Sequence, residues 1–269
     1  MKQTIRKWVL RISATGLLSA GFLVGIVLNP AILYASKTVV GNHTIYHNAP
    51  LNSAFFSAFN DAISSIEQSD LYHKNTTLNF CLDDGSYYPL LMEKVRGRAF
   101  GWGFHNIVAL KGTTNYQANT VVKGSYKWNF SQLMTHEAAH CLQFLRFGLW
   151  KSNPIAGYPH WKWEGYAEYV SRKAIEQEDL VKNITRKLKQ EKADPNGWGI
   201  TFTDDTIAPR SYYHGWLLMQ YCLDIKEITY EDLLADTTIN RKRVEEEMMD
   251  WYIGQLEDFT HSGFKGSVN

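Results

Sequence analysis

The apolar positions divide the chain into three stretches: an unbroken apolar run at the start, a mixed first half and a helical second half. No charged residue occurs between Ile12 and Leu28, and Lys2, Arg6, Lys7 and Arg11 come before that run. A basic cluster followed by an apolar stretch marks either a cleaved secretory signal or an uncleaved membrane anchor, and residues 1–35 are assigned to one of these. From Ile12 to Ala35 the segment is long enough to cross a hydrocarbon layer of about 30 Å. Leu33-Tyr34-Ala35 has a small residue at only one of the two positions usual before a cleavage site, so removal and retention both stay open. Either way the basic residues stay on the cytoplasmic side and the rest of the chain lies outside, anchored or secreted. No later segment reads as membrane-spanning. The most apolar, Trp128 to Trp150, carries His136, Glu137, His140 and Arg146, which are costly in lipid.

Beyond the leader the period changes. Leu51 to Gln68 carries Phe55, Phe56, Phe59, Ile63 and Ile66 at helical spacing. Thr76 to Leu82 reads as a short strand closed by the turn residues Asp83-Asp84-Gly85. Gly101 and Gly103 read as a loop entering a strand at Asn106 to Leu110, and Asn119 to Lys123 as a further strand. The second half predicts helices over Asn129 to Phe147, with a capping residue in front and Gly148 behind, and over His160 to Ile175, Ser211 to Ile225, Tyr230 to Ala235 and Asn240 to Ile253. The order predicts an α+β fold: a small N-terminal mixed sheet with a helix, then a mainly helical half. With no repeat or linker in sight, residues 38–269 form one domain.

Composition narrows the partners. Across 269 residues the formal net charge is +1, which offers no field for a polyanion, so nucleic acid is excluded as a partner. Cys81, Cys141 and Cys222 fit no zinc knuckle and make a poor disulfide framework. That leaves one bridge with a free thiol or three reduced, buried thiols, and the second is expected because a free Cys behaves as a small buried hydrophobe.

The chemistry lies in the helix from Asn129. His136-Glu137-Ala138-Ala139-His140 is an H-E-x-x-H sequence, and residues four apart on a helix share a face, so both imidazoles can address one metal ion. Glu137, beside the first of them, is placed to take a proton from a water activated there, as a general base. The surrounding Leu133, Met134, Ala138, Ala139, Cys141, Leu142 and Phe144 predict a buried helix, in which two His and a Glu need a partner. A third protein donor is required for a zinc site with one open position. Metzincin spacing fails, because Gln143 and Arg146 stand where it needs Gly and His. Downstream, Trp161 to Tyr169 carries Glu164 and Glu168 one turn apart on a helix that reads as buried. His160, a turn before Glu164, is a spare donor.

H-E-x-x-H followed by W-x-x-E-G-x-A-E-Y resembles the gluzincin metallopeptidases, among them thermolysin, the zinc aminopeptidases and small bacterial relatives. The likeness covers roughly Trp128 to Asp224. It implies zinc held by His136, His140 and Glu164, with Glu168 steadying the first zinc histidine through its other ring nitrogen. It also implies a Tyr or His that stabilises the oxyanion. Ser211 to Trp216 supplies Tyr212 for that role, with Tyr213 and His214 behind it. An edge strand that pairs with the substrate main chain is implied as well, with Asn106 to Leu110 as its candidate. Here Trp163 stands where Asn often precedes the ligand Glu, and the loop from Trp150 to Pro159 is longer than in the best-known members. The expected activity is hydrolysis of peptide or protein substrates. The alternatives are a zinc hydrolase of a non-peptide amide or ester, and a non-catalytic, metal-stabilised binding module outside the membrane.

Overall fold

A computed structural model describes residues 16, 18, 19, 21–172 and 177–263, with side chains as far as residue 257. The fold is α+β, a mixed sheet followed by a mostly helical half. Most of the expected leader, residues 1–15 with 17 and 20, lies outside the described residues, as do positions 173–175 of the expected helix from His160. Among the described residues no helix is long and apolar enough to cross a membrane.

The main sheet has five strands: β1 (Ser36–Val40), β2 (His43–His47), β3 (Asn79–Cys81), β4 (Gly101–Phe104) and β5 (Ile107–Leu110). Their spatial order is β1-β2-β3-β5-β4, with β2, β3 and β5 parallel and both outer strands antiparallel to their neighbours. Strand alternation sorts the side chains onto two faces. Ile45, Phe80, Val108 and Leu110 join the large core, whereas Cys81, Ile107 and Ala109 join a second, smaller cluster. The first face is covered by α1 (Ser53–Glu67), capped by Asn52, whose side chain accepts from Phe55 N at 2.9 Å. Phe55, Phe59 and Ile66 are its buried stripe. The second face is covered by α2 (Tyr88–Arg96) through Tyr88 and Met92.

Two readings from the sequence are corrected here. Asn106 to Leu110 forms β5, but it lies between β3 and β4 and is buried at all four strand positions, so it is not an edge. The edge is β4, the Gly101–Phe104 stretch expected to be loop. Its glycines are there for contact rather than for turning. A Cβ on Gly101 would lie 2.6 Å from Glu137 Cγ, and one on Gly103 would lie 1.9 Å from the Glu137 carbonyl oxygen. Glycine lets another backbone come this close. Trp102 and Phe104 point to the other face, into the smaller cluster.

A three-stranded sheet, β6 (Thr113–Asn115), β7 (Thr120–Lys123) and β8 (Tyr126–Asn129), leads into α3 (Phe130–Phe147). Asn129 caps α3, its Oδ1 accepting from Gln132 N at 3.0 Å, and Gly148 ends it with a φ of 75°. Then follow α4 (His160–Ser171), α5 (Leu180–Ala193), the hairpin β9 (Gly199–Thr201) and β10 (Ile207–Pro209), α6 (Arg210–Gln220), α7 (Tyr230–Ala235) and α8 (Arg241–Gly263). The helix expected from Ser211 to Ile225 is α6 plus a π-helical turn at Tyr221–Ile225. Cys81, Cys141 and Cys222 are all buried free thiols, the second of the two states that the sequence left open.

Helices α4 and α6 cross at a pair of glycines. A Cβ on Gly165 would sit 2.6 Å from Gly215 O, whereas one on Gly215 would meet nothing closer than 3.4 Å. The two substitutions should therefore differ. Gly165→Ala overpacks the crossing and is expected to cost about 1–3 kcal/mol. Gly215→Ala should change stability little, since alanine favours helix over glycine by about 1 kcal/mol. Thermal unfolding of both variants checks this, and equal losses would refute the asymmetry.

Candidate metal centre

Helix α3 presents His136 and His140 on one face, one turn apart, and α4 brings Glu164 against them. His136 Nε2 and His140 Nε2 are 3.2 Å apart, and Glu164 Oε2 lies 3.4 Å from the first and 3.2 Å from the second. These three form a group able to hold a metal ion. A tetrahedral ion with bonds of about 2.0–2.1 Å sets its donors roughly 3.3–3.4 Å apart, so the triangle has the size such an ion requires. His160 does not join it. Its ring packs edge-on against Tyr212, with centroids 4.8 Å apart.

Glu164 is positioned by the anchoring of α4 on three sides. Gly165 lets α6 approach. Tyr166 hydrogen-bonds Ser69 at 2.8 Å and stacks on Tyr230 with centroids 3.8 Å apart. Lys162, almost wholly buried, donates to Leu233 O and Asp236 O, both at 2.7 Å. A cation at the C-terminal end of α7 suits the helix dipole and ties α4 to that end.

Each imidazole is steered by a partner on its far nitrogen. His136 Nδ1 lies 3.2 Å from Glu168 Oε1. The pair is off the line of a well-directed hydrogen bond, and neither atom has another partner. Glu168 is fully buried, and its second oxygen accepts from Arg172 Nε at 2.8 Å. Arg172 donates in turn to Gln132 Oε1 at 3.0 Å, and its guanidinium stacks over Phe202 at 4.5 Å. A carboxylate paired with a buried cation keeps a proton of His136 on Nδ1, so Nε2, toward the triangle, is the nitrogen that gives up its proton to a cation.

His140 is held by a neutral group instead. Its Nδ1 is 2.8 Å from Gln143 Oε1, while Gln143 Nε2 donates to Trp163 O at 3.0 Å and to Tyr230 Oη at 2.7 Å. A backbone carbonyl only accepts, so Trp163 O fixes which end of the amide is nitrogen. The Gln143 oxygen therefore faces His140, Nδ1 carries the proton and Nε2 is free to bind. Sequence reasoning used Gln143 only to dismiss another spacing, and it gave Arg172 no role. The signal for both was their position. Gln143 lies three residues past His140 and Arg172 four past Glu168, each within one helical turn of the group it holds.

The electrostatics follow from burial and from these pairs. Burial pushes His136 down, but Glu164 and Glu168 outweigh it and raise its pKa to about 10. The same competition raises His140, chiefly through Glu164. Burial works against ionisation of Glu164, yet His140 and His136 hold its carboxyl well below the usual range. Glu168 is likewise held low against its burial, first by Arg172. Glu137 goes the other way: burial lifts its carboxyl above the ordinary value despite the nearby imidazoles.

Tyr212, at the start of α6, stands over His136 with ring centroids 5.9 Å apart. Burial and the carboxylates of Glu164, Glu137 and Glu168 push its phenol up, so it stays a proton donor. The other two candidates face elsewhere. Tyr213 Oη donates to Asn183 O at 3.1 Å, and His214 Nδ1 meets Arg241 at 2.7 Å. Of the residues singled out from the sequence, the structure thus brings together His136, Glu137, His140, Glu164, Glu168 and Tyr212. Comparison with models of known protein families finds no match, and neither does a search of curated proteins.

Two outcomes are expected. Gln143→Leu removes the acceptor from His140 Nδ1 and should weaken divalent-metal binding by about 10–100-fold, as should Glu168→Ala, while Glu164→Ala should weaken it more. Unchanged affinity in all three, by calorimetry, would detach them from the site. Metal binding should also be pH-dependent with a definite sign. Below its raised pKa of about 10, His136 carries a proton that a cation must displace. Affinity should therefore rise with pH, by about tenfold per unit for each proton released, and a flat profile would contradict the pairing.

Proposed function

We propose that this chain is a zinc-dependent metallopeptidase of the gluzincin kind. The observation that carries the reading is the triangle of two imidazole nitrogens and one carboxylate oxygen, 3.2–3.4 Å on each side, with a buried carboxylate at the adjacent position Glu137. Two nitrogens and one oxygen are a donor set that suits zinc and leaves a fourth position open. His136 Nε2, His140 Nε2 and Glu164 Oε2 would hold the ion. Bound there, zinc would supply Lewis acidity to a carbonyl oxygen and to a water.

The remaining work belongs to the chain. Glu137, its basicity raised by burial, takes the proton of the attacking water and later delivers it to the leaving nitrogen. Tyr212 Oη donates a hydrogen bond to the oxygen that gains negative charge, a contribution of a few kcal/mol in a site sheltered from water. Among the described residues β4 has one edge without a strand partner, beside Glu137, where an extended peptide can add as a further strand. That edge favours a peptide over a small amide or ester, because strand addition uses successive main-chain groups.

The test is Glu137→Gln. It should bind zinc as the wild type does and lose cleavage of a broad peptide library by about 10²–10⁴-fold, with Tyr212→Phe also impaired. Zinc bound by the wild type without cleavage of any peptide would turn the reading toward a metal-stabilised binding module. Turnover of amides or esters alone would turn it toward a non-peptide hydrolase.

A further inference from the structure

The segment just before β1 is part of the folded domain. Pro30 is buried, and Val27, Leu33 and Tyr34 pack against the smaller cluster, Tyr34 with its ring centroid 6.2 Å from that of Tyr88. Four hydrogen bonds fasten it. Tyr88 Oη donates to Val27 O at 2.7 Å, Ser86 Oγ to Leu33 O at 2.8 Å and Tyr34 Oη to Leu82 O at 2.9 Å, while Ala35 N donates to Asn48 Oδ1 at 2.8 Å. Cleavage after Ala35 would take Val27, Leu33 and Tyr34 away from this cluster and leave the Tyr88 hydroxyl without the Val27 carbonyl.

Immediately before it, residues 21–28 are helical and apolar, and their outer part is exposed on every side, with Phe22 at 71% and Val24 at 55%. A helix that is apolar all round belongs in a core or in lipid. Helix α2, which receives this segment, is apolar on both faces. Tyr88 and Met92 are buried inward, while Tyr87, Leu90 and Val95 are exposed outward, next to exposed Lys94, Arg96 and Arg98. Exposed apolar residues interleaved with cations are the composition of a surface that rests on lipid headgroups.

We infer that the N-terminal apolar run is retained as an anchor and that the outer face of α2 lies on the bilayer surface. The absence of any free linker between residue 28 and the fold carries this: the membrane segment and the domain share packing, so the domain is held at a fixed attitude. The inference does not draw on the chemistry of the triad, and either can fail alone.

The experiment uses the full chain. Expressed with a C-terminal tag, it should be recovered in the membrane pellet after an alkaline carbonate wash, with a mass that includes residues 1–35. A soluble product beginning at or after Ser36 would overturn retention. For the attitude, a spin label is placed at Leu90→Cys and, as a control, at Leu188→Cys on α5. The native thiols are buried and leave the added one to react. In nanodiscs of phosphatidylcholine and phosphatidylglycerol, the label at position 90 should be several-fold less accessible to an aqueous nickel chelate than that at 188. Equal accessibility would overturn the placement of α2 on lipid.

Discussion

Everything at the candidate site depends on how closely α4 can be pressed against α3. Three donor atoms within 3.4 Å of one another cannot be assembled by one helix. The third, Glu164, comes from a second helix, which must be held rigidly enough to keep a carboxylate among imidazoles. Glycine supplies the approach and buried polar contacts supply the rigidity. Gly165 removes the side chain that would hold α6 away, and Gly101 and Gly103 remove those that would hold β4 away from Glu137. Lys162 and Tyr166 then fasten the same helix to α7 and to Ser69. The charges of the triad are affordable because they are mutual: each group there would be costly alone in a buried setting.

The two imidazoles are steered by partners of different kinds, and the difference has a physical consequence. Glu168 is an anion compensated by Arg172, so the pair adds no net charge but places a carboxylate behind His136. Gln143 is neutral and leaves His140 less basic than a carboxylate would. A site with carboxylates behind both imidazoles would gather four acidic groups, with Glu164 and Glu137, around one cation position. The present arrangement keeps that number at three. It also spreads the support over distinct elements. Arg172 leans on Phe202 and Trp216, whereas Gln143 is fixed by Tyr230 and Trp163, so a fault on one side does not release both donors.

Much of this was legible in the sequence, and the reasons are local. The spacing of His136 and His140 is a helical turn, and a helix as apolar as Phe130–Phe147 had to be buried. Glu164 and Glu168 announced themselves as two carboxylates on an aromatic helix. The role of Tyr212 needed the resemblance, and the helix pattern then favoured it over Tyr213 and His214, because three consecutive aromatic or imidazole residues cannot be sorted by composition. The strands were the weaker part. β1, β2, β6 and β8 are only three to five residues long, too short for a period to emerge. β4 was misread because glycine usually signals a turn, whereas here Gly101 and Gly103 answer to the bulk of Glu137 on another element. Strand order was beyond reach as well: nothing within Ile107–Leu110 says that the strand just before it in the chain will take the edge.

β4 also connects the two halves of the functional argument. Its alternation sends Gly101 and Gly103 toward α3 and sends Trp102 and Phe104 into the cluster shared with α2 and the segment from Val27 to Tyr34. On the proposed reading, one strand therefore separates the reactive side of the sheet from its anchored side. A bilayer lying along α2 leaves the face that carries α3 turned away from lipid. The strand edge beside Glu137 is then reached laterally, by a segment running past the domain and not by one rising from the membrane beneath it. On the same reading, the attachment of residues 27–34 to the smaller cluster would make this a fixed geometry, with no free linker among the described residues about which the domain could turn to offer another face.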